Sequence, residues 1–196
     1  MNCKDLMRIY RGLAGEDFLV LASMIVYLTN KCIGRVRLAK ELGITERKAR
    51  NIIDILTKKE IIYGSINKCI VDELMKYYVD MVNTRELDNR KITFFKVIDQ
   101  EIASLIEKHV VDLRDYIILA IKDPYAIEII GYVDDKGEIR IPGVPVEYYE
   151  EYEKLLYTID LGENTAFIIW RKYRKYYCEA SLIYGLYMLC SRHKEA

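Results

Sequence analysis

The chain is short of the signals that usually announce a chemistry. No apolar run exceeds Phe18 to Leu28, well below the roughly 20 residues that cross a bilayer. No basic segment with a cleavage site precedes it, so a soluble, cytoplasmic protein with no membrane partner is expected. The five cysteines, Cys3, Cys32, Cys69, Cys178 and Cys190, are scattered, odd in number and without a C-x-x-C pair. They predict neither a disulfide framework nor a zinc site, and buried or idle thiols are expected. The two histidines, His109 and His193, stand far apart in sequence, which leaves no His-based metal centre. There is no G-x-G-x-x-G, no Walker loop, no G-x-S-x-G and no Ser or Cys beside a His in a recognised pattern. The sequence therefore predicts no catalytic residue, no metal and no cofactor.

What is present is enough for a folded protein. At 196 residues and 52% hydrophobic content, one large or two small domains with real cores fit, and disorder as the dominant state does not. Formal net charge is zero, which by itself argues against a nucleic-acid partner. Its distribution argues the other way: residues 1 to 72 hold 13 Lys or Arg against 8 Asp or Glu, a balance of +5 that the remainder offsets with −5. Steering depends on local potential more than on the total. Abundant Lys, Glu, Ile and Tyr with a single glutamine, Gln100, point to a hot habitat.

The most informative stretch runs from Ile33 to Val71. Gly34 to Leu42 reads as a short helix with Leu38, Ala39 and Leu42 on one face, stopped by Gly43. Thr45 then caps a second helix in which Ala49, Ile52, Ile53 and Leu56 recur at i, i+3, i+4 and i+7. The opposite face carries Glu46, Arg47, Lys48, Arg50 and Asn51, rich in groups that donate to phosphates and base edges. Ile61 to Tyr63, a turn at Gly64 to Lys68, and Cys69 to Val71 read as a two-stranded hairpin with a polar tip.

Helix, tight turn, helix and hairpin in that order resemble the winged helix-turn-helix family of DNA-binding domains. The resemblance is carried by Leu-Ala-x-x-Leu-Gly-Ile-Thr and by the amphipathic helix ending in Lys-Lys-Glu-Ile-Ile, and covers about the first eighty residues. Gly34 departs from the Ser or Thr often found there, which leaves a weaker cap. The resemblance implies that the helix from about 45 to 59 enters the major groove of duplex DNA. Arg35 near the start of the preceding helix, and Arg37 beside it, would grip phosphates, and Lys68 at the wing tip would reach a flanking groove.

Around this unit, Leu6, Ile9 and Leu13 mark a helix that packs either on the first domain or on a second subunit. Asp17 caps a helix with the stripe Phe18, Leu21, Ala22, Ile25 and Leu28. Asp72 opens another, with Leu74, Tyr77, Tyr78 and Met81, which either pairs two subunits or packs on its own domain. Residues 83–91, N-T-R-E-L-D-N-R-K, are polar and are expected as a junction, giving a winged-helix domain over 1–82 and a small α+β domain over 92–196.

In the second half, Ile92 to Val97 reads as a strand and Asp99 to His109 as a helix. Tyr116 to Ile121, Ala126 to Val133 and Glu138 to Ile141 read as strands of an antiparallel meander, with all three prolines at its turns or just after it. A helix from about Val146 to Tyr157, a buried strand Thr165 to Trp170 and a helix from about Tyr176 to Arg192 complete the chain. The motifs I-I-L-A-I-K-D, I-R-I-P-G-V-P and E-A-S-L-I-Y-G-L make the whole similar to an uncharacterised archaeal family of two-domain regulators.

Two further features stay open. The run Arg171 to Tyr177 interleaves bases and aromatics, and serves either a single strand or an ordinary strand-to-helix connection. Ser181 and Gly185 let either another helix or a second subunit approach closely. The expected fold class is thus α+β, and the expected function is a dimeric DNA-binding transcriptional regulator. Residues 92–196 would dimerise or sense a small-molecule effector. The alternatives are a winged helix that docks on another protein in a transcription, replication or repair assembly and, last, an enzyme whose active site lies in the second half.

Overall fold

Thr165 to Trp170, T-A-F-I-I-W, offers apolar groups to both faces of a strand, and only a strand covered on both sides can bury all of them. In the computed structural model, which describes residues 1–13, 18–30, 33–63, 70–71, 81–96 and 98–193, this segment is the centre of a five-stranded antiparallel sheet and every residue in it is buried. With strands numbered along the chain, β1 (Ile62–Tyr63) and β2 (Ile70–Val71) form a separate antiparallel pair. The sheet contains β3 (Val82–Leu87), β4 (Arg90–Lys96), β5 (Ile127–Val133), β6 (Ile139–Arg140) and β7 (Thr165–Trp170), in the order β3-β4-β7-β5-β6. The expected meander is corrected by this order, since the last strand inserts between β4 and β5.

The helices are α1 (Cys3–Leu13), α2 (Phe18–Asn30), α3 (Arg35–Leu42), α4 (Glu46–Lys58), α5 (Gln100–Ile121), α6 (Tyr149–Ile159, after a 3-10 turn at Val146–Tyr148) and α7 (Tyr177–His193). Alternate residues of the sheet face two cores. On one side Ile92, Phe94, Phe167 and Ile169 meet Leu155, Leu156 and Ile159 of α6. On the other, Phe95, Ile130, Ile168 and Trp170 meet α5 and α7, and this second core continues through α7 into α1, α2, α3 and α4. The architecture is α+β.

Three expectations are revised here. Tyr116 to Ile121 is helix, not strand: Ile102, Ile106, Leu113 and Ile117 line the buried face of α5 at helical spacing. The β-branched run misleads because packing against α7 decides the local conformation. Residues 83–91, expected as a junction, form the greater part of the β3–β4 hairpin, with Thr84 opposite Thr93 and Leu87 opposite Arg90. Their polarity belongs to an edge strand with one wet face, and the core runs on unbroken past them. Finally, Cys3 and Cys190 are disulfide-bonded, with 5.3 Å between Cα atoms across 187 residues of sequence, where idle thiols were expected.

The bond draws α1 against α7, where Tyr10 also stacks on Tyr187 at 3.8 Å between ring centroids. α1, expected on the first domain or on a second subunit, packs instead on the C-terminal helix α7. α2, expected to bury one stripe, is buried nearly all round, from Val20 to Tyr27. A helix apolar on every side needs neighbours on every side, and it has them in α3, α4 and α7. Gly185 on α7 meets α5: a Cβ there would lie 2.7 Å from Ile117 Cγ1 and 2.9 Å from Leu113 Cδ1. The small residue thus serves close packing within the chain. The helix read from Asp72, apart from Met81, lies outside the described residues. No single helix among those described is long and apolar enough to cross a membrane.

Candidate nucleic-acid interface

α3 and α4 are set at a fixed angle by the three residues between them and by the C-terminal half beneath. Gly43, with φ 62°, is in the left-handed region, and its N–H reaches Lys40 O at 3.3 Å while the Ile44 N–H reaches Ala39 O at 3.0 Å. Glycine suits this closing turn because a Cβ is penalised at positive φ. Here a Cβ would also meet Arg174 Nη2 at 3.2 Å. Thr45 then starts α4, its hydroxyl accepting the Lys48 N–H at 3.3 Å. Gly34, which has no side chain to cap α3, leaves that end to its backbone carbonyl, which accepts from Leu38 N–H at 3.0 Å.

The inner faces are as the periodicity predicts. Leu38, Ala39 and Leu42 of α3 and Ala49, Ile52 and Leu56 of α4 are buried, while Ile53 is half-buried against the same core. The outer face is open: Thr45, Glu46, Arg47, Lys48, Arg50 and Asn51 are all exposed. Arg47, Lys48 and Arg50 form no ion pair with any described residue. Arg35 is also exposed and pairs with Glu46 at 3.4 Å, a contact between two half-exposed groups that contributes little to stability. Arg37 bonds Asn30 Oδ1 at 3.4 Å and stands 3.7 Å from Glu41. Lys68 and the wing tip lie outside the described residues, although the β1–β2 pairing that would carry the tip is present.

The C-terminal half buttresses this unit from behind. Leu42 O, at the end of α3, accepts from Arg174 Nη2 at 2.6 Å and from Tyr177 OH at 2.9 Å, and the Arg174 guanidinium lies 3.6 Å from the Tyr177 ring centroid. Asn30, the last residue of α2, donates to Tyr176 OH at 2.8 Å. Tyr27 OH donates to Ile33 O at 2.8 Å, which fixes the approach to α3, and burial pushes this phenol up to about 12. The base-and-aromatic run 171–177 therefore holds the helical pair in place. Sequence reading located the run without finding this partner, because Leu42 is 132 residues away from Arg174.

A second polar group lies deeper, where β3, β4 and α7 meet. Trp170 Nε1 donates to Thr93 Oγ1 at 2.8 Å, the Thr93 and Thr84 hydroxyls are 2.8 Å apart, and Thr84 donates to Glu179 Oε1 at 2.7 Å. Tyr173 OH also donates to Glu179, and burial, then the carboxylate itself, raise that phenol well above its ordinary value. Glu179 Oε2 is buried with no hydrogen-bond partner among the described residues, beside a cleft of ≈ 350 Å³ lined by Thr84, Tyr173, Lys175 and Glu179.

No protein-family model and no curated protein matches the chain. Among solved structures, the chain is similar to a hypothetical protein from Pyrococcus horikoshii OT3, at 19% sequence identity and a TM-score of 0.56, over 90% of this chain and 93% of the other. At that identity the likeness is one of fold, and the α+β architecture extends over nearly the full length of both chains.

Proposed function

We propose that the protein is a DNA-binding transcriptional regulator in which α2, α3, α4 and the β1–β2 pair act as a winged helix-turn-helix and α4 enters the major groove. The observation that carries this reading is the outward face of α4. Arg47, Lys48, Arg50 and Asn51 are exposed there, with the three cations unpaired among the described residues and Arg35 and Arg37 adjoining. Arg is suited to guanine and Asn to adenine, while the flanking cations contact phosphate. On this reading the protein works as a homodimer that places two copies of α4 about 34 Å apart on a near-palindromic site. The cleft beside Glu179 is where a small-molecule effector would act.

A second reading has its own support. Val36 on α3 is 60% exposed and Ile55 on α4 is 36% exposed, and a winged helix that docks on a protein would use such apolar groups beside its charges. Arg47→Glu combined with Arg50→Glu separates the two. The regulator reading predicts that the double variant loses duplex binding in fluorescence anisotropy while its circular dichroism is unchanged. Unchanged anisotropy together with a lost protein partner in pull-down favours the docking module.

A further inference from the structure

The two histidines of the chain, read from sequence as too far apart to cooperate, meet at one point. His109 in the middle of α5 and His193 at the end of α7 stack with ring centroids 3.8 Å apart and planes at 22°. Asp112, three residues beyond His109 and so on the same face of α5, lies at the edge of both rings. Its Oδ2 is 3.3 Å from His109 Nδ1 and 3.1 Å from His193 Nε2. Taken one from each side chain, the three candidate donor atoms all lie within 4.8 Å of one another.

Three observations set this cluster apart from a chance ion pair. First, α5 leaves helical geometry at one residue, His109, with φ −132° and ψ 34°, and then resumes. Bends confined to one turn of a helix have an identifiable cause and often mark functional positions. Second, His193 Nε2 is buried and makes no hydrogen bond with any described residue, although a carboxylate oxygen lies 3.1 Å away. With the imidazole neutral and this nitrogen unprotonated, a metal ion bound to the ring nitrogen and the carboxylate oxygen would satisfy both. Third, the spacing fits such an ion. Metal bonds of about 2.0–2.2 Å in tetrahedral geometry put neighbouring donors about 3.3–3.6 Å apart, and the separations of 3.3 and 3.1 Å from Asp112 reach that range with a few tenths of an ångström of adjustment.

We propose that His109, Asp112 and His193 form a binding site for one divalent first-row transition-metal ion of the zinc class. The donor set of two imidazoles and one carboxylate suits zinc, nickel, cobalt, copper(II) or iron(II). It is wrong for magnesium and calcium, which take all-oxygen shells, and for the soft ions that need thiolate. Three protein donors leave at least one coordination position for water or an exogenous ligand, and the side chains are 24% to 45% exposed, so the ion exchanges with solvent. The ion ties the end of α7 to the bend of α5. It is independent of the DNA-binding reading, because the site lies on different helices from α3 and α4.

The position of His193 does not depend on the metal. Cys190, one turn earlier on α7, is bonded to Cys3, and Gly185 seats the same helix against Ile117 and Leu113 of α5. Two donors on one helix and one on its packed neighbour are thus held in register by the core before any ion arrives.

The test uses the full-length protein without a polyhistidine tag. Titration with cobalt(II), followed by absorption, and with zinc(II), followed by calorimetry, is expected to saturate at one equivalent. Because the chain has two histidines, nitrogen-15 imidazole spectra read both directly, and zinc(II) is expected to shift both sets of ring signals. Asp112→Asn and His193→Gln, each checked for native circular dichroism, should weaken binding at least tenfold, since even outer-sphere changes cost about 10- to 100-fold. Failure to saturate at one equivalent, or saturation that leaves both imidazoles unmoved, overturns the proposal. So does a folded His109→Gln, His193→Gln double variant that binds as the wild type does. The spectra of the unsubstituted protein decide the matter even if a variant fails to fold.

Discussion

Replacing Gly185 with alanine sets two known effects against each other at one site. In an exposed helix the change stabilises by about 1 kcal/mol, because glycine loses more backbone freedom than alanine. On α7 the new methyl would lie 2.7 Å from Ile117 Cγ1 and 2.9 Å from Leu113 Cδ1, and both side chains are fully buried, so neither can turn away into solvent. Forcing a methyl into a filled core costs about 1–3 kcal/mol. The steric cost wins, and Gly185→Ala should lose about 1 kcal/mol net, or about 2–4 °C in melting temperature for a chain of this size. The account is sharper in a second background. Ile117→Ala alone should lose about 2–5 kcal/mol through the cavity it leaves. Adding Gly185→Ala to it leaves, of those close contacts, only Leu113 Cδ1, which the new cavity gives room to turn aside, keeps the helix gain and fills part of the cavity, so alanine at 185 should now stabilise. Thermal and urea unfolding followed by far-UV circular dichroism measures all four corners of the cycle. The reasoning about close α5–α7 packing is refuted if alanine at 185 has the same sign in both backgrounds.

The other tests are shorter. Cys190→Ser opens a link across 187 residues, and the chain-entropy cost of a loop that long is up to about 5 kcal/mol. The variant should melt well below the wild type and match the wild type in reductant; an unchanged melting temperature contradicts the bond. Arg174→Ala removes one of the two donors on Leu42 O and should cost about 1–2 kcal/mol in urea. Amide exchange at Gly43 and Ile44 should quicken, and equal protection in the variant would show that Arg174 does not hold the turn. Burial pushes the Cys178 thiol up from 9.0 to about 12. The unfolded chain ionises at the lower value, so the stabilising contribution is whole below about pH 9 and is lost as pH rises toward 12. Tyr27 acts with the same sign between about pH 10 and 12. Cys178→Ala should flatten the alkaline decline of stability, and an unaltered slope would dismiss the thiol's part in it.

What could be read from sequence was what local rules decide. Leu38, Leu42, Ala49, Ile52 and Leu56 repeat at helical spacing, Gly43 and Thr45 punctuate them, and the observed α3, turn and α4 follow residue by residue. The strands at 92–96, 127–133 and 165–170 were visible for the same reason. The failures share another cause. Tyr116 to Ile121 carries a strand-like run, yet Leu113 and Ile117 continue the face of Ile102 and Ile106 against α7, and tertiary packing overrides propensity. The polar 83–91 segment mimics a linker because an edge strand has one wet face. No local pattern pairs Cys3 with Cys190, His109 with His193, or Arg174 with Leu42. Each of these contacts is made by α7 returning the end of the chain to its beginning and middle.

The central claim is that the open face of α4 neutralises DNA phosphate. Its most direct test is the affinity of the intact protein for genomic duplexes, read by fluorescence anisotropy across a salt series. The account predicts that the logarithm of the association constant falls linearly with the logarithm of salt concentration, by about 0.9 for each phosphate engaged. Arg35→Ala, which removes one of the flanking phosphate contacts, should make that slope shallower by about one. Binding that does not weaken as salt rises would contradict it.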